Sequence, residues 1–308
     1  MTTVPICWVA YKPGIAPRGS WDVQQFELIT DRTWGTPPDP LAYSHYIGFE
    51  QLPPAADGAV VIIGAQHHYE PRYVERLNAD LARLRWVVLV LAGDECSLFP
   101  WRAVEHPNLR LWIMTPRPQL HADSGAFFIG EGYREDTLAL LAACAAEAAE
   151  RPLDWFFAGQ VTHARRTALV AALRGVEGRW KSDLVQTPGF LQGLPREEYL
   201  RRMAGAKVVP CPAGPGTPDS FRFYEALEAG CVPLADAYTP DRWPGYWELV
   251  YGQDLPFPVV EDWSDLPAVI DDVLADWTRR AAECGEWWRA RKRLIVERLD
   301  DDVRMVGG

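Results

Sequence analysis

The chain predicts an α/β protein built as two parallel-sheet halves, and three observations carry that reading. Short, uninterrupted apolar runs such as 59–63 and 86–91 alternate with amphipathic stretches such as 71–85. Strands without polar alternation are buried on both faces, as happens when helices cover both sides of a parallel sheet. The length of 308 residues, with 48% hydrophobic and 24% charged residues, suits two domains with a core each. Arg151-Pro152 then reads as a linker near mid-chain, and the alternation resumes beyond it with a different sequence. The expected division is 1–150, 151–280 and a tail at 281–308.

In the first half, residues 4–9 read as a strand and 10–54 as a long polar and aromatic segment of no clear secondary structure. Loops of that length are usually functional or covering. Strands are expected at 59–63, 86–91, 109–114 and 126–129, with helices at 71–85 and 135–149. In the second half, strands are expected at 154–158, 180–185, 207–211 and from 231, with helices at 163–174, 195–206 and 219–229. Residues 238–245 read as a loop, 247–251 as a strand and 266–277 as a helix. The charged tail at 283–299, with Trp287, Trp288, Leu294 and Ile295, is a helix with an apolar face.

Composition excludes several functions. A net charge of −11 argues against binding nucleic acid over a broad surface. The six cysteines are scattered, without zinc spacing, and read as reduced core residues. No basic region precedes the first apolar run and no stretch reaches membrane-spanning length, so a soluble, cytoplasmic protein is expected. There is no Walker A loop, no His-Glu-x-x-His, no Gly-x-Ser-x-Gly and no Gly-x-Gly-x-x-Gly. The one Asp-x-Asp lies in Asp300-Asp301-Asp302, which reads as a solvated acidic run outside both domains rather than a metal site.

The chain is organised around residues 207–233. They read as a buried strand, a Pro-Gly loop at 212–218, a helix with Thr217 as cap and Pro218 as first residue, a left-handed stop at Gly230 and a second strand. Loop amides and a positive helix end converge there on an anion, with Ser220 and Arg222 adding a hydroxyl and a guanidinium. Between Gln160 and Arg222 ten Lys or Arg stand against five Asp or Glu, a local excess where a diphosphate would sit. Glu225 lies on the same short helix and needs a partner. That partner is either Arg222, one turn back, or the hydroxyls of a bound ribose.

Pro212-x-Gly214, Ser220-x-Arg222-x-x-Glu225-Ala226 and Gly230-Cys231-Val232-Pro233 together resemble the donor-site signature of the exostosin family of glycosyltransferases. Phe157-x-Gly159 followed by Arg166-x-x-Leu169 is similar to that family's other marker. The resemblance spans about 154–275 and implies a GT-B architecture: two Rossmann-like domains with parallel sheets facing across a cleft, nucleotide sugar on the second and acceptor on the first. It further implies transfer of a hexosyl or pentosyl group from a nucleoside diphosphate sugar, a UDP-sugar being expected, to an acceptor hydroxyl with inversion. No cofactor or metal is expected. Donor contacts fall on Gly159, Arg165, Arg166, Pro212, Gly214, Gly216, Ser220, Arg222 and Glu225. Trp243, Tyr246 and Trp247 lie beyond the donor loop, where a base or sugar could stack.

Inverting transfer needs a base on the acceptor side, and ligands of open parallel sheets sit at the carboxyl ends of strands. That rule selects Asp94 and Glu95 after Gly93, then His67 or His68, with His45 further off. Each has a bland alternative: capping for the acids, packing for the histidines. Two other functions remain open, a nucleotide-sugar epimerase or hydrolase on the same fold and a non-catalytic nucleotide-sugar binding module. The acceptor, whether glycan, lipid, protein or modified nucleic-acid base, has no signature here.

Overall fold

Among the described residues every paired strand is parallel, and the strands form two separate sheets, as continuous apolar runs require. The computed structural model of the chain describes residues 3–18, 21–189, 192–214, 216–237 and 243–308. It divides into two units, Met1–Glu131 with Ala290–Gly308, and Gly132–Arg289. Each unit is Rossmann-like: parallel strands connected through helices.

The first unit runs β1 (Val4–Val9), α1 (Trp21–Thr30), β2 (Tyr43–Ile47), β3 (Gly58–Gly64), α2 (Pro71–Leu81), β4 (Trp86–Ala92), β5 (Leu109–Met114), α3 (Pro118–His121) and β6 (Phe127–Ile129). Strand order is β2-β1-β3-β4-β5-β6. Strands β3 and β4 pair from Gly58↔Trp86 to Gly64↔Ala92. One face of this sheet (Cys7, Val9, Val61, Ile63, Leu89, Leu91) packs on Val74, Leu77 and Leu81 of α2, each fully buried aliphatic side chain contributing about 1.5–3 kcal/mol. The opposite face carries Trp8 and Trp112, also buried, and Phe26 of α1 meets Trp112 edge-on. Helix α1 and strand β2 thus occupy the stretch that sequence patterning leaves blank, because neither shows a clean period.

The second unit runs α4 (Thr137–Ala142), α5 (Ala145–Glu150), β7 (Leu153–Gln160), α6 (Ala164–Gly175), β8 (Ser182–Thr187), α7 (Arg196–Ala204), β9 (Ala206–Cys211), α8 (Phe221–Glu228), β10 (Val232–Asp236), α9 (Tyr246–Tyr251), β11 (Val259–Val260) and α10 (Leu266–Ala275). Its order is β11-β10-β9-β7-β8. The last helix, α11 (Trp277–Gly307), contributes to both units, with residues from Ala290 on belonging to the first.

Several expectations are corrected. Residues 132–150 fall in the second unit, because Arg196 of α7 reaches Thr137 at 2.6 Å and Tyr133 donates to Glu228 at 2.8 Å. Arg151 is no linker residue. In a left-handed conformation, its guanidinium donates to the carbonyls of Ala204, Ala206 and Ala229 at 2.6–2.8 Å, stapling α7, β9 and α8 together. Residues 246–251 form a helix rather than a strand, and 238–242 lie outside the described residues. Five of the six cysteines are buried as expected, but Cys96 is exposed. No described helix is long and apolar enough to cross a membrane.

The acidic run at 300–302 is solvated only at Asp301, for Asp300 and Asp302 are 0% and 1% exposed. Asp300 accepts from Arg32 at 3.0 Å, the Leu41 amide at 3.0 Å and the Tyr43 hydroxyl at 2.6 Å; Asp302 accepts from Trp112 Nε1 at 2.9 Å. Alternate acids on α11 are therefore the polar anchors that bind it to the first unit. Replacing Asp300 with Ala leaves a buried guanidinium and a buried hydroxyl without their acceptor. The expected loss is about 3–5 kcal/mol in urea unfolding, since breaking a buried ion pair costs far more than an exposed one.

Two histidines make stability pH-dependent. Burial, reinforced by the Arg102 guanidinium, pushes His121 down to about 4, and burial also lowers His68. A depressed folded-state value means that the unfolded chain binds the proton first. Their contribution is present above the unfolded value of about 6.5 and is lost as pH falls, for His121 between about 6.5 and about 4. Urea midpoints should therefore fall across that window, and His121→Gln should flatten the decline.

Candidate nucleotide-sugar site

The carboxyl edge of the second sheet is shaped by one buried carboxylate. Asp236 ends β10 and is 0% exposed. One of its oxygens accepts from the Ala213 amide at 2.9 Å and Trp263 Nε1 at 3.2 Å, the other from Arg165 at 2.6 and 3.0 Å. The carbonyl of Ala213 is held in turn by His163 Nε2 at 3.1 Å and Arg166 Nε at 3.2 Å, while Arg166 also reaches the Gln160 carbonyl. Both peptide groups flanking Ala213 are thereby fixed, and the turn after β9 is clamped to α6 and β10. Burial, then the Arg166 charge, lowers His163, so its neutral ring donates through Nε2 and leaves Nδ1 as an unpaired acceptor.

Beyond that clamp the loop closes on itself. The Gly214 amide and the Thr217 hydroxyl both donate to the Asp219 carbonyl, at 3.2 and 3.1 Å. A side chain at 214 would lie 3.1 Å from the same oxygen. The helix starts three residues later than the sequence suggests: Ser220, not Thr217, is the cap position, and Thr217 and Pro218 are buried in the loop. Gly230 does take the left-handed conformation, at φ 71°, that closes the helix.

Ser220 is unusual for a cap. Its side chain bonds no amide of α8, and its buried hydroxyl makes no hydrogen bond. Beside it, Arg222 stacks over Phe157 at 4.7 Å and donates to the Ala158 carbonyl at 2.6 Å, with its buried Nε unpartnered. A Cβ on Gly159 would sit 2.7 Å from Arg222 Nη2, so the two sequence markers meet here: glycine at 159 makes the space that the guanidinium fills. The expected partner of Arg222, Glu225, lies elsewhere. Glu225 is 3% exposed and takes Arg196 at 2.5 Å and the Tyr199 hydroxyl at 3.0 Å, both from α7.

Of the expected donor residues, the structure brings together Gly159, Arg166, Pro212, Gly214, Ser220 and Arg222 around the β9–α8 turn, with Gly216 half-buried in it. Arg165 is turned onto Asp236. Trp243, Tyr246 and Trp247 are each 1% exposed and belong to an aromatic core with Phe223 and Phe257 instead of offering faces to a ligand. In the first unit, Asp94 is buried, and its two oxygens accept from the Leu98 and Phe99 amides at 2.9 and 2.8 Å. Burial raises its pKa against the pull of those amides. Glu95 and His67 are half-buried, and His45 accepts from Trp8 Nε1 at 2.9 Å. Asp236, His163, Arg196 and Tyr199 have no motif to announce them. Only Asp236, an acid closing an apolar strand, shares the signal that picks out Asp94. Among the described residues no three His, Cys, Asp or Glu gather as a metal cage would need.

No family model matches the chain, and no curated protein is similar in sequence. Among solved structures, one match is HepE of Anabaena, crystallised in complex with UDP-glucose. It is 11% identical over 99% of both chains, with a TM-score of 0.48.

The Gly159–Arg222 contact is directly testable. Gly159→Ala should cost about 1–3 kcal/mol by overpacking. In an Arg222→Ala background the same change should cost much less, a coupling read from a double-mutant cycle in urea.

Proposed function

We propose that the protein is a glycosyltransferase that takes a sugar from a nucleoside diphosphate sugar, UDP-linked, and passes it to an acceptor hydroxyl with inversion. The observation that supports this best is the first turn of α8. There an uncapped, buried Ser220 hydroxyl, the unpartnered Nε of Arg222 and a positive helix end stand together on a clamped glycine turn. Buried polar groups without partners are costly, and an anion supplies the missing acceptors. On this reading the diphosphate lies against Gly214, Gly216, Ser220 and Arg222, with Arg166 behind the loop. Their positive charge stabilises the departing nucleotide without a metal.

Glu225 is assigned to the ribose. A carboxylate has about four acceptor sites, and Arg196 and Tyr199 take one each, leaving room for the ribose hydroxyls while holding the group in place. On the acceptor side Asp94 is engaged by its own loop, so we assign the base to His67, with Glu95 beside the neighbouring strand end. In the reaction the acceptor oxygen attacks the anomeric carbon and its proton passes to the imidazole. The bond from that carbon to the diphosphate oxygen breaks, and the nucleoside diphosphate leaves with the electron pair.

UDP should raise the melting temperature and bind in calorimetry. Arg222→Met should weaken UDP at least tenfold, as the loss of a charge-assisted contact costs about 1.5–3 kcal/mol. Glu225→Gln should weaken UDP more than inorganic pyrophosphate, which has no ribose. Unchanged UDP affinity in both variants would remove the site from consideration. His67→Gln should lower turnover and leave UDP affinity intact.

A further inference from the structure

Asp219 holds the β9–α8 turn through its backbone and its side chain at once. It is 1% exposed, and a carboxylate taken that far from water needs donors. One of them is the hydroxyl of Tyr224, in the first turns of α8, which donates to Oδ2 at 2.7 Å. That hydroxyl lies 2.7 Å from the hydroxyl of Tyr251, the last residue of α9. Tyr224 has one proton and gives it to Asp219, so Tyr251 is the donor to Tyr224. The three groups form an ordered line from Tyr251 through Tyr224 to Asp219. Burial, then the charge of Asp219, pushes the Tyr224 phenol well above its usual range, so it stays a donor.

Both phenol rings are fixed by the aromatic core of the second unit. The ring of Tyr224 meets Phe223 edge-on at 5.1 Å and lies 5.5 Å from Trp288. The ring of Tyr251 stacks with Trp247 at 6.1 Å and meets Trp287 edge-on at 5.2 Å. The hydroxyl line therefore ties the glycine turn to a packed core 32 positions downstream in sequence.

The backbone of Asp219 converts that anchorage into the shape of the loop. Its carbonyl accepts from the Gly214 amide at 3.2 Å and the Thr217 hydroxyl at 3.1 Å. In a trans peptide the carbonyl and the following N–H point in opposite directions, so a carbonyl held toward the loop aims the Ser220 amide away from it, at the start of α8. An acid this close to an anion-binding turn would work against it unless its charge were taken up elsewhere, and the hydroxyl line takes it up.

We propose that Asp219, Tyr224 and Tyr251 are positioning residues for the diphosphate: they touch no ligand, and they set the direction of the amides and the hydroxyl that do. The inference rests on the glycosyltransferase reading for the ligand, but not for the anchoring of the turn. The test uses the full chain. Tyr224→Phe should weaken inorganic pyrophosphate and UDP alike, by about threefold to tenfold as for one buried neutral hydrogen bond, and should speed hydrogen exchange of the Gly214 amide in the ligand-free protein. Tyr133→Phe is the control, because it removes a buried tyrosine hydroxyl from Glu228 at the opposite end of the same helix. It should lower the urea midpoint and leave both affinities and the Gly214 exchange as they were. Tyr251→Phe should act in the same direction as Tyr224→Phe but more weakly, and it serves if Tyr224→Phe does not fold. Unchanged Gly214 exchange in the tyrosine variants of the line, or an equal loss of pyrophosphate affinity in Tyr133→Phe, would overturn the proposal. Failure of both UDP and pyrophosphate to bind the unaltered protein would instead strike the donor reading, while the Gly214 exchange would still decide the anchoring.

Discussion

The buried carboxylate of Asp236 is the constraint on which the candidate site depends. A charge removed from water is tolerable only when fully paired, and Asp236 is paired by Arg165, the Ala213 amide and Trp263. The consequence is geometric. The same ion pair joins the end of β10, the turn after β9 and the first turn of α6, so the glycine loop that follows Ala213 begins from a fixed point. Loops are ordinarily the mobile part of a fold, and the proposed anion site needs a loop that is preorganised. His163 and Arg166, bonded to the Ala213 carbonyl, complete that fixation from the opposite side.

A second buried network, centred on Glu225, serves α8 from below. Arg196 links Glu225 to Thr137 and lies near Asp136, so α4, α7 and α8 share one guanidinium. At the start of α8, by contrast, the Ser220 hydroxyl and Arg222 Nε have no partner, although Arg222 also donates to the Ala158 carbonyl. Polar groups of α8 thus divide by place: Glu225 is held by two side chains of α7, whereas the Ser220 hydroxyl and Arg222 Nε at the helix start are without partners. That division, rather than any single residue, is what motivates the proposal that this turn binds a ligand.

Much of this architecture is legible in sequence, and the exceptions have physical reasons. Strands β3 and β4 announce themselves because all-apolar runs have few other uses. Helix α1 and strand β2 do not, since neither shows a clean period and β2 is an edge strand whose residues are half-buried or, at Ile47, exposed. Gly159, Gly214 and Gly230 are readable because each answers a steric demand. The partner of Glu225 is not, because Arg196 lies 29 positions away and only tertiary packing brings it in. Asp300 and Asp302 mislead in the same manner: an acidic triplet looks solvated until the fold supplies Arg32, Tyr43 and Trp112 from far upstream. Local pattern predicts local structure, whereas the pairing of buried charges is a long-range property.

The central claim is that the β9–α8 turn holds the diphosphate of a sugar nucleotide. A crystal structure of the chain with UDP tests it most directly. The account predicts phosphate density within hydrogen-bond distance of the Ser220 hydroxyl and Arg222, with the ribose on Glu225. Density for the nucleotide elsewhere, with the Ser220 hydroxyl and Arg222 Nε still without a partner, would contradict it.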